Sequence, residues 1–152
     1  MSSSPMQTEP ASAPVRLWNP NAAANWCLLF SPAFGSYLQM LNWEAMGRPD
    51  EAKKSRQWFN VAVGLLVVYV LGGVFLPAGK DFDVVFRLVG LAFLLSWYFT
   101  SGRVQTRFVR ATYGNDYGKR AWARPLLIAF GLLVAYFIGT FVLGFVVALL
   151  AG

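Results

Sequence analysis

Residues Pro125 to Ala151 form a long run without one charged side chain. Two shorter runs precede it. Trp58 to Leu76 holds no charge, and Val84 to Thr100 holds a single one, Arg87. About 20 apolar residues in an α-helix cross a hydrocarbon core roughly 30 Å thick, so each run has the length of a span and the last can tilt. In lipid every backbone amide must be paired within the chain, which leaves helices or a closed barrel, and barrel strands would be shorter and alternating. The expected fold is therefore an all-α membrane protein: a bundle of three transmembrane helices plus an N-terminal broken helix that either re-enters or spans.

Composition supports a bilayer over an aqueous core. Of 152 residues, 57% are hydrophobic and 13% charged, against about 25% charged in a soluble domain. The chain has no histidine and one cysteine, Cys27. An internal disulfide is excluded, and a Cys/His metal cluster or histidine-based catalysis has no residues to draw on. No catalytic residue, cofactor site or metal site is expected. The net charge of +6 arises from basic residues flanking the apolar runs, where they set orientation and touch anionic lipid, so nucleic acid is not an expected partner.

Residues 1–20 read as a disordered polar tail rich in Ser, Pro and Ala. They lack the basic and apolar regions of a secretory signal, so the later runs are expected to be retained. Residues 21–152 form a single helical membrane domain, with 21–43 as the broken helix and 58–76, 84–100 and 125–151 as spans. The loop Glu44–Gln57 carries Arg48, Lys53, Lys54 and Arg56, and the loop Ser101–Arg124 carries Arg103, Arg107, Arg110, Lys119, Arg120 and Arg124. The Pro77–Asp83 loop carries only Lys80. The positive-inside rule puts the two basic loops in the cytoplasm of a bacterial inner membrane and the C-terminus outside.

The stretch NWCLLFSPAFGSYLQMLNW, Asn25 to Trp43, reads two ways. Trp26 and Trp43 would stand about 25 Å apart along a straight helix, which suits a short span with an indole at each interface. Yet Asn25, Ser31, Ser36, Gln39 and Asn42 make a polar interior. Pro32 removes a backbone donor and Gly35 follows closely, so Ser31 to Gly35 can serve as the bend of a hairpin that returns both Asn-Trp pairs to one surface. The balance falls modestly toward the hairpin.

WNPNAAANWCLLFSPAFGSYLQMLNWEAMGRP, Trp18 to Pro49, resembles a block found in small, largely uncharacterised bacterial inner-membrane proteins, some of which carry it after a cytoplasmic GYF-like domain. The resemblance covers about a fifth of the chain. It implies a cytoplasmic tail, which favours the hairpin, and it implies no activity and no catalytic residues.

Small residues let membrane helices approach closely. Gly131, Ala135 and Gly139 recur at four-residue spacing in the last run, and Thr140, Gly144 and Ala148 do so on another face. Both faces are expected to pack within the bundle, with one of them open to a partner or a second copy as the alternative. Arg87 is expected to snorkel to the outer interface beside Asp81 or Asp83. Arg103, Arg107 and Arg110 fall on one helical face as a headgroup contact or an acidic-partner site.

Three function classes follow. The favoured one is an inner-membrane binding protein that acts through protein–protein contacts, in its most concrete form an immunity protein neutralising a membrane-acting toxin of a type VI secretion system. The alternative is a small oligomeric channel or transporter with the broken helix lining the path. An enzyme comes last, for want of acid–base groups.

Overall fold

The computed structural model describes residues 14–75 and 80–151. Three of its helices are long and apolar enough to cross a membrane: Pro49–Phe75, the continuous stretch Asp81–Tyr113, and Ala123–Leu150. Little of any of these is buried within the chain, which suits a protein whose outer surface faces lipid.

The first helix, α1 (Pro20–Phe30), starts where Asn19 caps it. The Asn19 side chain accepts hydrogen bonds from the amides of Asn21 and Ala22, and Pro20 supplies a pre-set φ at the first helical position. It ends at Phe30 because Pro32 can neither donate to nor tolerate a continuing turn. Ser31 takes φ 107°, the only positive φ at a non-glycine among the described residues. Its amide donates to the Cys27 carbonyl, and Pro32 then opens α2 (Pro32–Ala45). The change of direction is thus confined to Ser31, and Gly35 lies inside α2 rather than in a bend running from Ser31 to Gly35.

A turn with Gly47 at φ 67° leads into α3 (Pro49–Phe75), whose first turn carries Asp50 and Glu51 toward the positive helix end. It begins nine residues before Trp58, so most of the basic segment Glu44–Gln57 belongs to the first turns of this helix. After the connection comes α4 (Lys80–Trp97), then a π-helical turn over Tyr98–Gly102, then α5 (Arg103–Tyr113), which Gly114 closes at φ 58°. The last helix is α6 (Ala123–Ala151).

Contacts fix the helix directions. Trp18 meets Asn42 while a Cβ on Gly35 would strike Cys27 and Trp97, so α1 and α2 run antiparallel. The pairs Tyr37–Phe59 and Arg56–Glu44 make α2 and α3 antiparallel as well. Trp58–Phe93 and Tyr69–Phe86 do the same for α3 and α4. Gln39 with Ser101 and Trp43 with Phe108 show α2 running parallel to α5. The start of α1, the α2–α3 turn and the α5–α6 connection therefore gather at one end of the molecule. Lys80 starts α4 at the other.

Two short strands complete that end. Arg16–Leu17 (β1) pairs in parallel with Gly118–Lys119 (β2), Arg16 opposite Gly118 and Leu17 opposite Lys119. Leu17 is fully buried. The expected disordered tail over 1–20 falls largely outside the described residues. From Val15 onward it is overturned, because the Val15 and Leu17 carbonyls accept bonds from the amides of Gly118 and Arg120.

Candidate functional site

The buried side chains are concentrated where α1, α2, the π turn and α5 meet, and many of them are polar. Asn42 is fully buried. Its Oδ1 accepts from the Trp18 amide at 3.0 Å and its Nδ2 donates to the Trp18 carbonyl at 2.9 Å. Nδ2 also reaches Gln105 Oε1 at 3.3 Å, and Gln105 Nε2 donates to the Gln39 carbonyl at 2.9 Å. Ser101 donates to Gln39 Oε1 at 2.8 Å. A buried polar group without a partner costs about 1–3 kcal/mol, so this seam fixes how α2 seats against α5.

Below the seam Gly35 admits the closest approach. A Cβ there would overlap Cys27 Sγ and lie 2.9 Å from the Trp97 ring. Cys27, Trp97 and Ala24 form one apolar cluster, with Trp58 and Leu94 packed against it. Cys27 is thus a small buried hydrophobe.

Trp18 is held from several sides. Its indole Nε1 donates to the Ala121 carbonyl at 3.0 Å, and the Arg120 guanidinium sits 4.6 Å from its ring centre. This clamp ties the start of α1 to the α5–α6 connection. Nearby, burial pushes the Tyr117 phenol above its ordinary pKa.

Beside the seam a groove of about 690 Å³ opens between α3 and the π turn. Glu51, Lys54, Ser55 and Gln57 line it from α3 toward the polar end, and Trp58 and Val61 toward the apolar end. Thr100, Ser101 and Val104 form the facing wall, and Trp43 of α2 also lines it. Ser55 is buried, and its hydroxyl has no hydrogen-bond partner. Gln39 Nε2, behind Ser101, also lacks one. Glu51 is engaged by Arg48, whose pKa rises above the ordinary guanidinium value through that hydrogen bond, and Lys54 also acts on Glu51 without bonding it, so the two cations outweigh the one carboxylate here.

The residues singled out from the sequence are dispersed. Asn42 and Trp43 are buried at the seam, Trp43 with its ring 5.1 Å from Phe108. Asn25 is exposed and Trp26 half-buried against Phe30. Trp26 lies five residues before Ser31 and Trp43 twelve after it, so the two indoles do not share one level. The tryptophan beside Asn42 is Trp18, which precedes both Asn-Trp pairs.

Arg103, Arg107 and Arg110 do lie on one outward face of α5, with Arg103 5.4 Å from the Phe99 ring centre. Arg87 is exposed, and the ion pairs among the described residues, Arg48–Glu51 and Arg56–Glu44, do not include it.

The small-residue faces of α6 are the clearest departure from expectation. Gly131, Ala135, Gly139 and Gly144 are all exposed, and a Cβ on any of the three glycines would meet nothing within 4 Å. The inward stripe is instead Leu126, Ala129, Leu133, Tyr136, Thr140 and Leu143, buried or half-buried at alternating three- and four-residue steps. Bundle packing of the small faces is therefore overturned, with the exception of Thr140. The inward stripe carries Ala129 as its most buried residue, while Gly131, Ala135, Gly139 and Gly144 fall on the other sides of the helix.

Sequence reasoning missed Trp18, Ser55, Trp97 and Gln105. A glutamine at the end of an apolar run signals a polar group in need of a partner, so Gln105 was detectable; its partner, 63 residues away in sequence, was not. No family model matches the chain, and no curated protein and no solved structure matches it.

Proposed function

We propose that the chain is a multi-pass protein of the bacterial inner membrane that acts by binding another protein within the bilayer. The observation that carries this reading is α6. Its glycine and alanine faces lie open, which is how a helix is arranged when a second helix is to approach it closely. The basic end, with Arg48, Lys53, Lys54, Arg56 and the arginines of α5, then faces the cytoplasm, and the C-terminus lies outside.

In the same reading residues 20–45 form a re-entrant hairpin. α1 has 11 residues and α2 has 14, about 16 and 21 Å at 1.5 Å per residue. Either arm reaches the middle of a roughly 30 Å core and neither crosses it comfortably. The antiparallel course and the Trp18–Asn42 bonds support a shared entry and exit. Ser31 would then lie near mid-membrane, flanked by α3 and α4 and not bare to lipid.

The most concrete form is an immunity protein that intercepts a membrane-acting toxin, such as a type VI effector. The channel alternative draws less support, because Asn42 and Gln105 bond one another in a buried seam and Gln39 accepts from Ser101 there. The test is cross-linking in intact cells from photoreactive residues placed at Gly131 and Gly139, with the captured species identified by mass spectrometry. Capture of one discrete protein, lost when Ala135 is changed to Leu, supports the reading. Capture of lipid alone refutes it. Protection of cells from that protein when the chain is expressed distinguishes the immunity form.

A further inference from the structure

The groove between α3 and the π turn is polar at one end and apolar at the other, and its features match the membrane's own amphiphile. Trp43 and Trp58 line it, and indoles favour the headgroup level of a bilayer. Lys54 and Ser55 stand on the polar side of Trp58 by three to four residues, while Val61 stands on the apolar side. A volume of about 690 Å³ falls within the roughly 300–1,000 Å³ range of clefts that hold a specific small ligand. Glu51 at the mouth is hydrogen-bonded by Arg48, so exposed Lys54, which acts on Glu51 only at longer range, is available to bond an anion. The Ser55 hydroxyl is buried without a partner, a state that ordinarily has a compensating group.

We infer that this groove is a specific glycerophospholipid site, with the lipid phosphate at Lys54 and Ser55 and an acyl chain running along Trp58 and Val61. Lys54 supplies the charge-assisted bond to the phosphate diester. The wall formed by Thr100 and Ser101 is polar at the level where the glycerol esters sit. A bound lipid brings the missing acceptor to Ser55, and it holds α3 at a fixed distance from the π turn. The site lies away from α6, so it does not depend on which protein that helix binds.

Native mass spectrometry of the full chain, extracted in mild detergent and titrated with phosphatidylglycerol or phosphatidylethanolamine, tests this. The wild-type chain is expected to retain one lipid per chain at detergent levels that strip the rest. Lys54→Ala and Val61→Trp, which blocks the apolar end from an exposed position, are each expected to lower retention about tenfold, the loss of one charge-assisted contact or of the chain's channel. Lys53→Ala, on an exposed neighbour outside the groove, is expected to leave it unchanged. Equal retention in all four proteins overturns the proposal, as does a wild-type chain that keeps no lipid. Inorganic phosphate at millimolar level serves as the other arm: if it displaces the lipid fully, the site is an ion site and the acyl contacts are dispensable, which also overturns it. Circular dichroism of each variant separates lost binding from lost fold.

Discussion

The peptide unit of Trp18 and the side-chain amide of Asn42 exchange two hydrogen bonds, at 3.0 and 2.9 Å, across 24 residues of sequence. An asparagine here imitates a neighbouring strand, offering one donor and one acceptor to a backbone that has just left β1. It closes the open end of the antiparallel α1–α2 pair.

Replacing Asn42 tests that closure. Asn42→Leu removes both bonds and strands the Trp18 amide and Gln105 Oε1, so the chain is expected to lose about 2–4 kcal/mol of stability. Asn42→Asp keeps the acceptor for the Trp18 amide but loses the donor to the Trp18 carbonyl and buries a charge, and it is expected to be no better. Thermal unfolding in detergent, followed by tryptophan fluorescence, reads the change. Melting curves that match wild type would remove the seam from any account of how α2 is seated.

Gly35 sits where the three elements come closest. Gly35→Ala places a methyl against Cys27 Sγ and the Trp97 ring and is expected to cost about 1–3 kcal/mol by overpacking. Adding Cys27→Ala removes one of the two clashing groups, so the double variant is expected to regain part of the loss. Additive losses in the cycle would show that α1 and α2 do not meet there.

The three long apolar helices were legible because a sustained lack of charge, as from Trp58 to Leu76 or Pro125 to Ala151, is a local property, and the bilayer imposes it locally. A helix boundary at Pro32 was legible for the same reason. What lay beyond reach was pairing. Gln39, Asn42 and Gln105 look like poor span material one at a time, and they become core only when brought together. Gly35 looked like part of a bend, while its use is the absence of a side chain beside Trp97, two helices further along the chain. The small residues of α6 misled because their spacing reports which residues could pack closely, not whether a neighbour is present.

Sidedness is testable with single cysteines in a Cys27→Ala background. Ser3→Cys and Gly47→Cys are expected to label with an impermeant maleimide only after the cells are opened, because a re-entrant hairpin keeps both on the cytoplasmic side. Labelling of Ser3→Cys in intact cells together with protection of Gly47→Cys would establish residues 20–45 as a full span.

The outer faces of α6 yield a variant that separates fold from partnership. Gly139→Leu adds a bulky side chain where nothing lies within 4 Å, so the isolated chain is expected to melt within about 0.5 kcal/mol of wild type. Recovery of its cross-linked partner is expected to fall severalfold. A marked drop in stability would instead return this face to the chain's own interior.

The π turn over Tyr98–Gly102, where the Arg103 amide reaches back to the Tyr98 carbonyl, acts as a phase adjuster. One residue inserted in a helix rotates all that follows by about 100°. Before the turn, α4 offers mostly lipid-facing side chains; after it, Gln105 and Val109 point inward and the arginines outward. A single continuous rod thus serves two solvents. Deleting any one residue from the turn would dial Gln105 away from Asn42 and Gln39 while leaving every helical hydrogen bond available, so the seam depends on a count of residues as much as on their chemistry.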